Sequence, residues 1–161
     1  MHQFIRKKVH HLMYKYKTSN PELLATYLNI KIVEWNLGKQ LGSYRLLNRK
    51  KVIFINSNLS YHQRKIVIAH ELGHAILHPE VNCYFIENKT LLLKSKIERE
   101  ANIFACELLI NDDLLGEYIG KSITEIAAAE YLPVELLHLK FITPGAFYFT
   151  HKIEHMFVIN E

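Results

Sequence analysis

At 161 residues, with 49% hydrophobic and 22% charged positions, the chain has the size and composition of one soluble globular domain. No apolar run of about 18 residues occurs, the basic start Met1–Lys8 lacks a following apolar core, and Cys83 and Cys106 cannot build a disulfide framework. A membrane span, a secretory signal and an oxidising compartment are therefore not expected, which leaves the cytoplasm. Net charge is +4 with a pI near 9.0, and the basic clusters at Arg6–Lys8, Lys15–Lys17 and Arg49–Lys51 read as solvated faces and turns, since no nucleic-acid module accompanies them.

Apolar positions Phe4, Ile5, Val9, Leu12, Met13 and Tyr16 recur with a helical period over residues 4–16. Thr18-Ser19-Asn20-Pro21 breaks that helix and starts a second, with Asn20 as N-cap and Pro21 at the first helical position, running to about Leu28. Ile30–Trp35 reads as a strand. Gly38 and Gly42 bracket a turn, and Ser43–Leu47 with Val52–Ile55 form a hairpin through Asn48-Arg49-Lys50. Ser60 followed by Gln63 is a capping-box pattern, and it opens a helix from about Tyr61 to Leu77 that stops before Pro79. Val81–Ile86 reads as short extended structure, and Leu91-Leu92-Leu93 as a lid. A long helix, Lys94–Ile110, follows; Asn111-Asp112 recaps a short one through Tyr118. Ser122-Ile123-Thr124-Glu125 opens another that ends near Tyr131, and Pro133 begins a last one to Phe141. Pro144-Gly145 makes a turn, with Ala146–Thr150 and His155–Ile159 as a terminal hairpin. No repeat, low-complexity tract or linker divides the chain. The expectation is an α+β single domain over residues 1–161, mostly helical, with a small antiparallel sheet and the Tyr61–Leu77 helix at its centre.

The chemistry is concentrated in Ala69-His70-Glu71-Leu72-Gly73-His74-Ala75-Ile76-Leu77-His78, where His70, Glu71 and His74 form an H-E-x-x-H motif. On a helix, residues four apart lie about 40° apart in azimuth and about 6 Å apart along the axis. His70 and His74 therefore project side by side, and both imidazoles can ligate one Zn²⁺. Glu71, one step round, can reach a water there without ligating the metal, the position of a general base. Ile66-Val67-Ile68-Ala69 is apolar, so the helix is buried, and its polar groups need the partners that a metal supplies.

A catalytic zinc takes three protein ligands, and the candidates for the third are His78, Glu80, Glu87, Glu98 and Glu100. Three histidines stacked along one straight helix span about 12 Å, too far to converge, so His78 reads as a helix-end residue beside the last carbonyls. Glu98 is favoured, because Ala101, Asn102 and Ala105 give its face the small residues that let two helices approach closely. Glu100 is turned about 200° from it, with Phe104 and Glu107, and is the alternative. Asn102, one turn from Glu98, can hold a ligand histidine from behind. The donor that would stabilise an oxyanion stays open among Tyr61, His62, Tyr84 and His78.

The runs Ala69–His78, Glu98–Ala105 and Leu108-Leu109, together with Pro21–Val33 and Val52–Leu59, resemble the ImmA/IrrE family of zinc metallopeptidases over most of the chain. The resemblance implies a zincin-like, specifically gluzincin-like, site with His70, His74 and Glu98 as zinc ligands and Glu71 as catalytic base. It also implies cleavage of a helix-turn-helix transcriptional repressor, often of a phage or integrative element, to release transcription. One departure is visible: the family's common Met-Pro after the paired leucines is Ile110-Asn111 here, which touches none of these ligands.

Cys83 and Cys106 lack the paired spacing of a structural zinc site and read as small packing residues. Ser122–Lys140 has the outline of two short helices around Leu132-Pro133-Val134, but Lys140 is the only basic residue of the second, so direct DNA binding through it is not expected. Two other functions compete with the peptidase: a zincin-like binding module that sequesters the repressor uncut, and a DNA-associated regulator using the basic clusters. An intact Glu71 favours the enzyme, because a pure binder needs no base beside two ligands.

Overall fold

In the computed structural model, which describes residues 1–80 and 91–142, the chain runs α1 (His2–Tyr16), α2 (Pro21–Tyr27), β1 (Lys31–Trp35), β2 (Gly42–Leu47), β3 (Lys50–Asn56), α3 (Tyr61–Leu77), α4 (Leu91–Leu109), α5 (Leu114–Glu117), α6 (Ile123–Ala129) and α7 (Val134–Leu137), and α7 continues into a π-helical turn over His138–Ile142. Local chemistry sets the starts of these helices. The Asn20 side chain accepts from the Glu22 and Leu23 amides with Pro21 in the first turn. At α3 the Ser60 hydroxyl accepts from the Gln63 amide while the Gln63 side chain accepts from the Ser60 amide, so two donors that a helix start leaves orphaned are satisfied reciprocally. Ser122 and Glu125 repeat the device at α6.

The strands lie in the order β1-β3-β2. β2 and β3 form the expected antiparallel hairpin, closed by Asn48 and Arg49, both with positive φ, in a tight turn whose twist suits the strands. β1 joins the other side of β3 in parallel, Lys31 opposite Val52 through Trp35 opposite Asn56, so the sheet is mixed rather than wholly antiparallel. The reason is the connection at residues 36–41: it is too long for a tight hairpin and lets the chain leave the central place for β3.

Tyr44, Ile53 and Ile55 turn inward from the sheet and are fully buried, as are Ile66, Ile68 and Leu72 of α3. The sheet covers one side of α3, and α4 covers the other, with α1 packed outside α4. Every residue from Ile66 to Ala75 is buried in consequence, the pattern of a helix with no solvent face. Its C-terminal carbonyls are taken by cations from elsewhere in the fold: Lys51 Nζ donates to Ala75 O at 2.7 Å and Lys8 Nζ to Ile76 O at 3.4 Å.

Two glycines set how closely the layers approach. A Cβ on Gly42 would stand 2.5 Å from Val67 Cγ1, so β2 lies directly against α3. A Cβ on Gly73 would stand 2.9 Å from Ala101 Cα and 3.1 Å from Ala101 O, so α3 and α4 touch backbone to backbone at that point. Gly73→Ala is therefore expected to force the helices apart and destabilise the fold by about 1–3 kcal/mol, as overpacking does. Urea unfolding should read this as a lower midpoint with an unchanged slope.

Leu91–Leu93, expected as a lid, form the first turn of α4. The extended segment expected at Val81–Ile86, the Pro144-Gly145 turn and the terminal hairpin lie outside the described residues. No helix among the described residues is long and apolar enough to cross a membrane.

Candidate active site

α3 and α4 meet where their polar residues are most deeply buried. His70, Glu71 and His74 on α3, and Glu98 and Asn102 on α4, are each no more than 3% exposed. The close approach at Gly73 and Ala101 brings these side chains together, because Gly73 lies between the two histidines and Ala101 lies one turn from Glu98. His70 Nε2 and His74 Nε2 are 3.0 Å apart, and Glu98 Oε2 lies 3.3 Å from the first and 3.6 Å from the second.

His70 Nδ1 stands 2.8 Å from Asn102 Oδ1. An amide oxygen only accepts, so Nδ1 carries the proton and the neutral ring keeps a lone pair at Nε2, facing His74 and Glu98. Glu98 Oε2 itself makes no hydrogen bond. Three buried donor atoms thus surround one point.

Their separations suit one ion. Tetrahedral zinc with bonds of about 2.0–2.1 Å sets its ligand atoms about 3.4 Å apart, and the three atoms here span 3.0 to 3.6 Å. The chemistry of the set, two imidazoles and one carboxylate, also matches a catalytic zinc that keeps an open position. Glu71 stands outside the cluster. Its Oε2 accepts the Tyr44 backbone N–H at 2.7 Å, so β2 fixes the orientation of this buried carboxylate. Tyr44 is in turn anchored by its hydroxyl, which donates to Pro79 O at 2.9 Å.

The other residues singled out by sequence are placed elsewhere. Glu100 lies 2.9 Å from His78 Nε2, so the alternative third ligand is engaged at the end of α3. His78 is the helix-end residue expected, the C-cap of α3, with its backbone N–H donating to His74 O; its ring meets the Glu100 carboxylate rather than a carbonyl. Glu80 is exposed, and Glu87, Cys83 and Tyr84 lie outside the described residues. Tyr61 is exposed and His62 stacks on Tyr131 with centroids 4.1 Å apart, at the start of α3. About 12 Å of helix separates His62 from His70, too far for either to stabilise an oxyanion there. Cys106 is fully buried, its Sγ meeting Ile103 O at 3.2 Å, and burial pushes its thiol up, so it packs and stays protonated. Lys140 is buried against Glu107 at 2.5 Å and unavailable to a groove.

Sequence reasoning missed Tyr44. Its contribution is a backbone N–H, which every residue type but proline supplies, so no side-chain pattern could have marked it.

Comparison with known proteins places the chain in a family. The family described as IrrE N-terminal-like domain, Peptidase_M78, matches residues 25–140. A protein of Bacillus phage phi105 named "Uncharacterized immunity region protein 2" is 46% identical over 139 residues, covering 84% of this chain and 88% of the phage protein. The metallopeptidase ImmA of Bacillus subtilis (strain 168) is 35% identical over 161 residues, covering 92% of each chain. With that match spanning α2 to the π-helical turn and the similarity to ImmA running nearly end to end, the chain belongs to the ImmA/IrrE family of metallopeptidases.

Proposed function

We propose that the chain is a zinc-dependent endopeptidase, one catalytic domain over residues 1–161 working in the cytoplasm, that cleaves a helix-turn-helix repressor of a phage or mobile element and so relieves repression. The observation that carries this reading is the convergence of His70 Nε2, His74 Nε2 and Glu98 Oε2 on one buried point. The repressor as substrate is supported by the names of the relatives, one a phage immunity-region protein and one the metallopeptidase ImmA.

His70, His74 and Glu98 hold the metal in this reading. A zinc ion held there would lower the pKa of water towards about 7 and would polarise the scissile carbonyl. Glu71 then serves as the base: one oxygen is pinned by the Tyr44 amide, and the carboxylate takes a proton from water and hands it to the leaving amine. Asn102 keeps His70 in the tautomer that presents Nε2. Asn102→Ala is accordingly expected to weaken zinc binding about 10–100-fold, the usual effect of removing a group that orients a ligand. Competition against a chromophoric chelator measures it.

A buried carboxylate next to His70 on α3, held by the Tyr44 amide and not part of the three-atom cluster, favours cutting over sequestration. The deciding experiment mixes the purified chain with a helix-turn-helix repressor, with and without chelator. Fragments that disappear with chelator and return with zinc support the proposal. A stable complex without fragments would establish sequestration, with the repressor a binding partner and not a substrate.

A further inference from the structure

The family match begins at residue 25, and α1 stands ahead of it with a composition that the metal site does not explain. Residues 1–17 hold five of the twenty lysines and arginines and none of the sixteen acids, while the rest of the chain holds fifteen cations against sixteen acids. The whole positive balance of the protein resides on one helix.

That helix has three sides. Ile5 and Val9 are buried against the core and fix its position. On one flank His2 lies 2.8 Å from Glu107 and Arg6 lies 2.7 Å from Asp112, so these groups are paired. The side facing solvent carries Phe4, Lys7, His11 and Tyr14 at i, i+3, i+7 and i+10, with Lys15 beside them. Phe4 is 66% exposed and Tyr14 74%, and Lys17 Nζ rests 3.8 Å above the Tyr14 ring. Lys7, Lys15 and Lys17 have no acidic partner among the described residues.

We propose that this face of α1 binds the phosphate backbone of duplex DNA, without regard to sequence and independently of the metal site. A row of unneutralised cations along a rigid helix complements a polyanion. The face is convex, about 22 Å long, and of the width that the major groove admits. A protein partner fits it less well: helix-in-groove docking relies on apolar anchors at i, i+3, i+4 and i+7, and here i+3 and i+7 from Phe4 are Lys7 and His11. Contacts of this kind position a protein on DNA without reading bases.

The test is fluorescence anisotropy of a short labelled duplex titrated with the full chain from about 50 to about 200 mM KCl. Three unpaired lysines predict a slope of log affinity against log salt of about −2.7, a loss of about 40-fold across that range. Lys7→Glu with Lys15→Glu should weaken binding at the lower salt at least about tenfold and flatten the slope, since two of three phosphate contacts are gone. Arg49→Glu with Lys50→Glu should change little, and chelator should change nothing. No binding at about 50 mM salt overturns the proposal, as does loss of binding through the Arg49 and Lys50 pair with the α1 variant unaffected. Polyglutamate competing as well as unlabelled duplex would instead assign the face to acidic proteins.

Discussion

Glu71→Gln should keep its metal and lose its proteolysis. The amide oxygen of glutamine still accepts the Tyr44 N–H that the carboxylate accepts at 2.7 Å, so β2 and α3 stay packed as they are. What the amide cannot do is take a proton from water and release it to the leaving amine. General acid–base transfer of this kind is worth about 10²–10⁴ in rate, and the cleavage rate on a repressor should fall by at least that factor. Zinc content by elemental analysis and the melting temperature should match the wild type, since Glu71 is outside the three-atom cluster. A variant that cleaved normally would exclude Glu71 as the base; one that lost zinc as well would make it a ligand.

Glu71 also shows where reading the sequence stops. H-E-x-x-H and the apolar run ahead of it suffice to predict a buried helix with His70 and His74 on one side, and the Ser60/Gln63 pair dates its start to the residue, because capping is chemistry between neighbours in sequence. The closeness of α3 and α4 was half legible: Ala101 and Ala105 advertised a small face on α4, but the partner glycine sits inside the motif and reads there as a spacer. The choice between Glu98 and Glu100 rested on which face of α4 turns towards α3, and the packing adds what sequence could not contain, a His78 that engages Glu100. Long-range pairs stayed invisible. Glu107 draws His2 from one end of the chain and Lys140 from the other, and no local pattern announces either contact. The parallel pairing of β1 was hidden for a similar reason, since consecutive strands suggest hairpins and only the length of residues 36–41 argued otherwise.

The proposed third ligand makes the sharpest demand on this packing. Glu98→Ala should release most of the zinc, because the carboxylate that offsets the ion's charge in a buried site is gone and two neutral imidazoles remain. Stability provides an independent reading. A ligand that binds only the folded state adds about 4 kcal/mol at a thousandfold excess over its dissociation constant. For a chain of this size that amounts to about 8–16 °C in melting temperature. Chelator should therefore lower the wild-type melting temperature by an amount in that range and leave Glu98→Ala almost unmoved, whatever the substitution does to the metal-free protein. The comparison separates a lost ligand from a damaged fold, since a merely destabilised variant would still respond to chelator. Glu100→Ala serves as the control: it breaks a contact with His78 at the end of α3 and should retain its zinc. If the two variants exchanged behaviour, with Glu98→Ala keeping full stoichiometry and Glu100→Ala losing it, the carboxylate would have to swing away from His78 on metal binding, and the ligand set would be His70, His74 and Glu100.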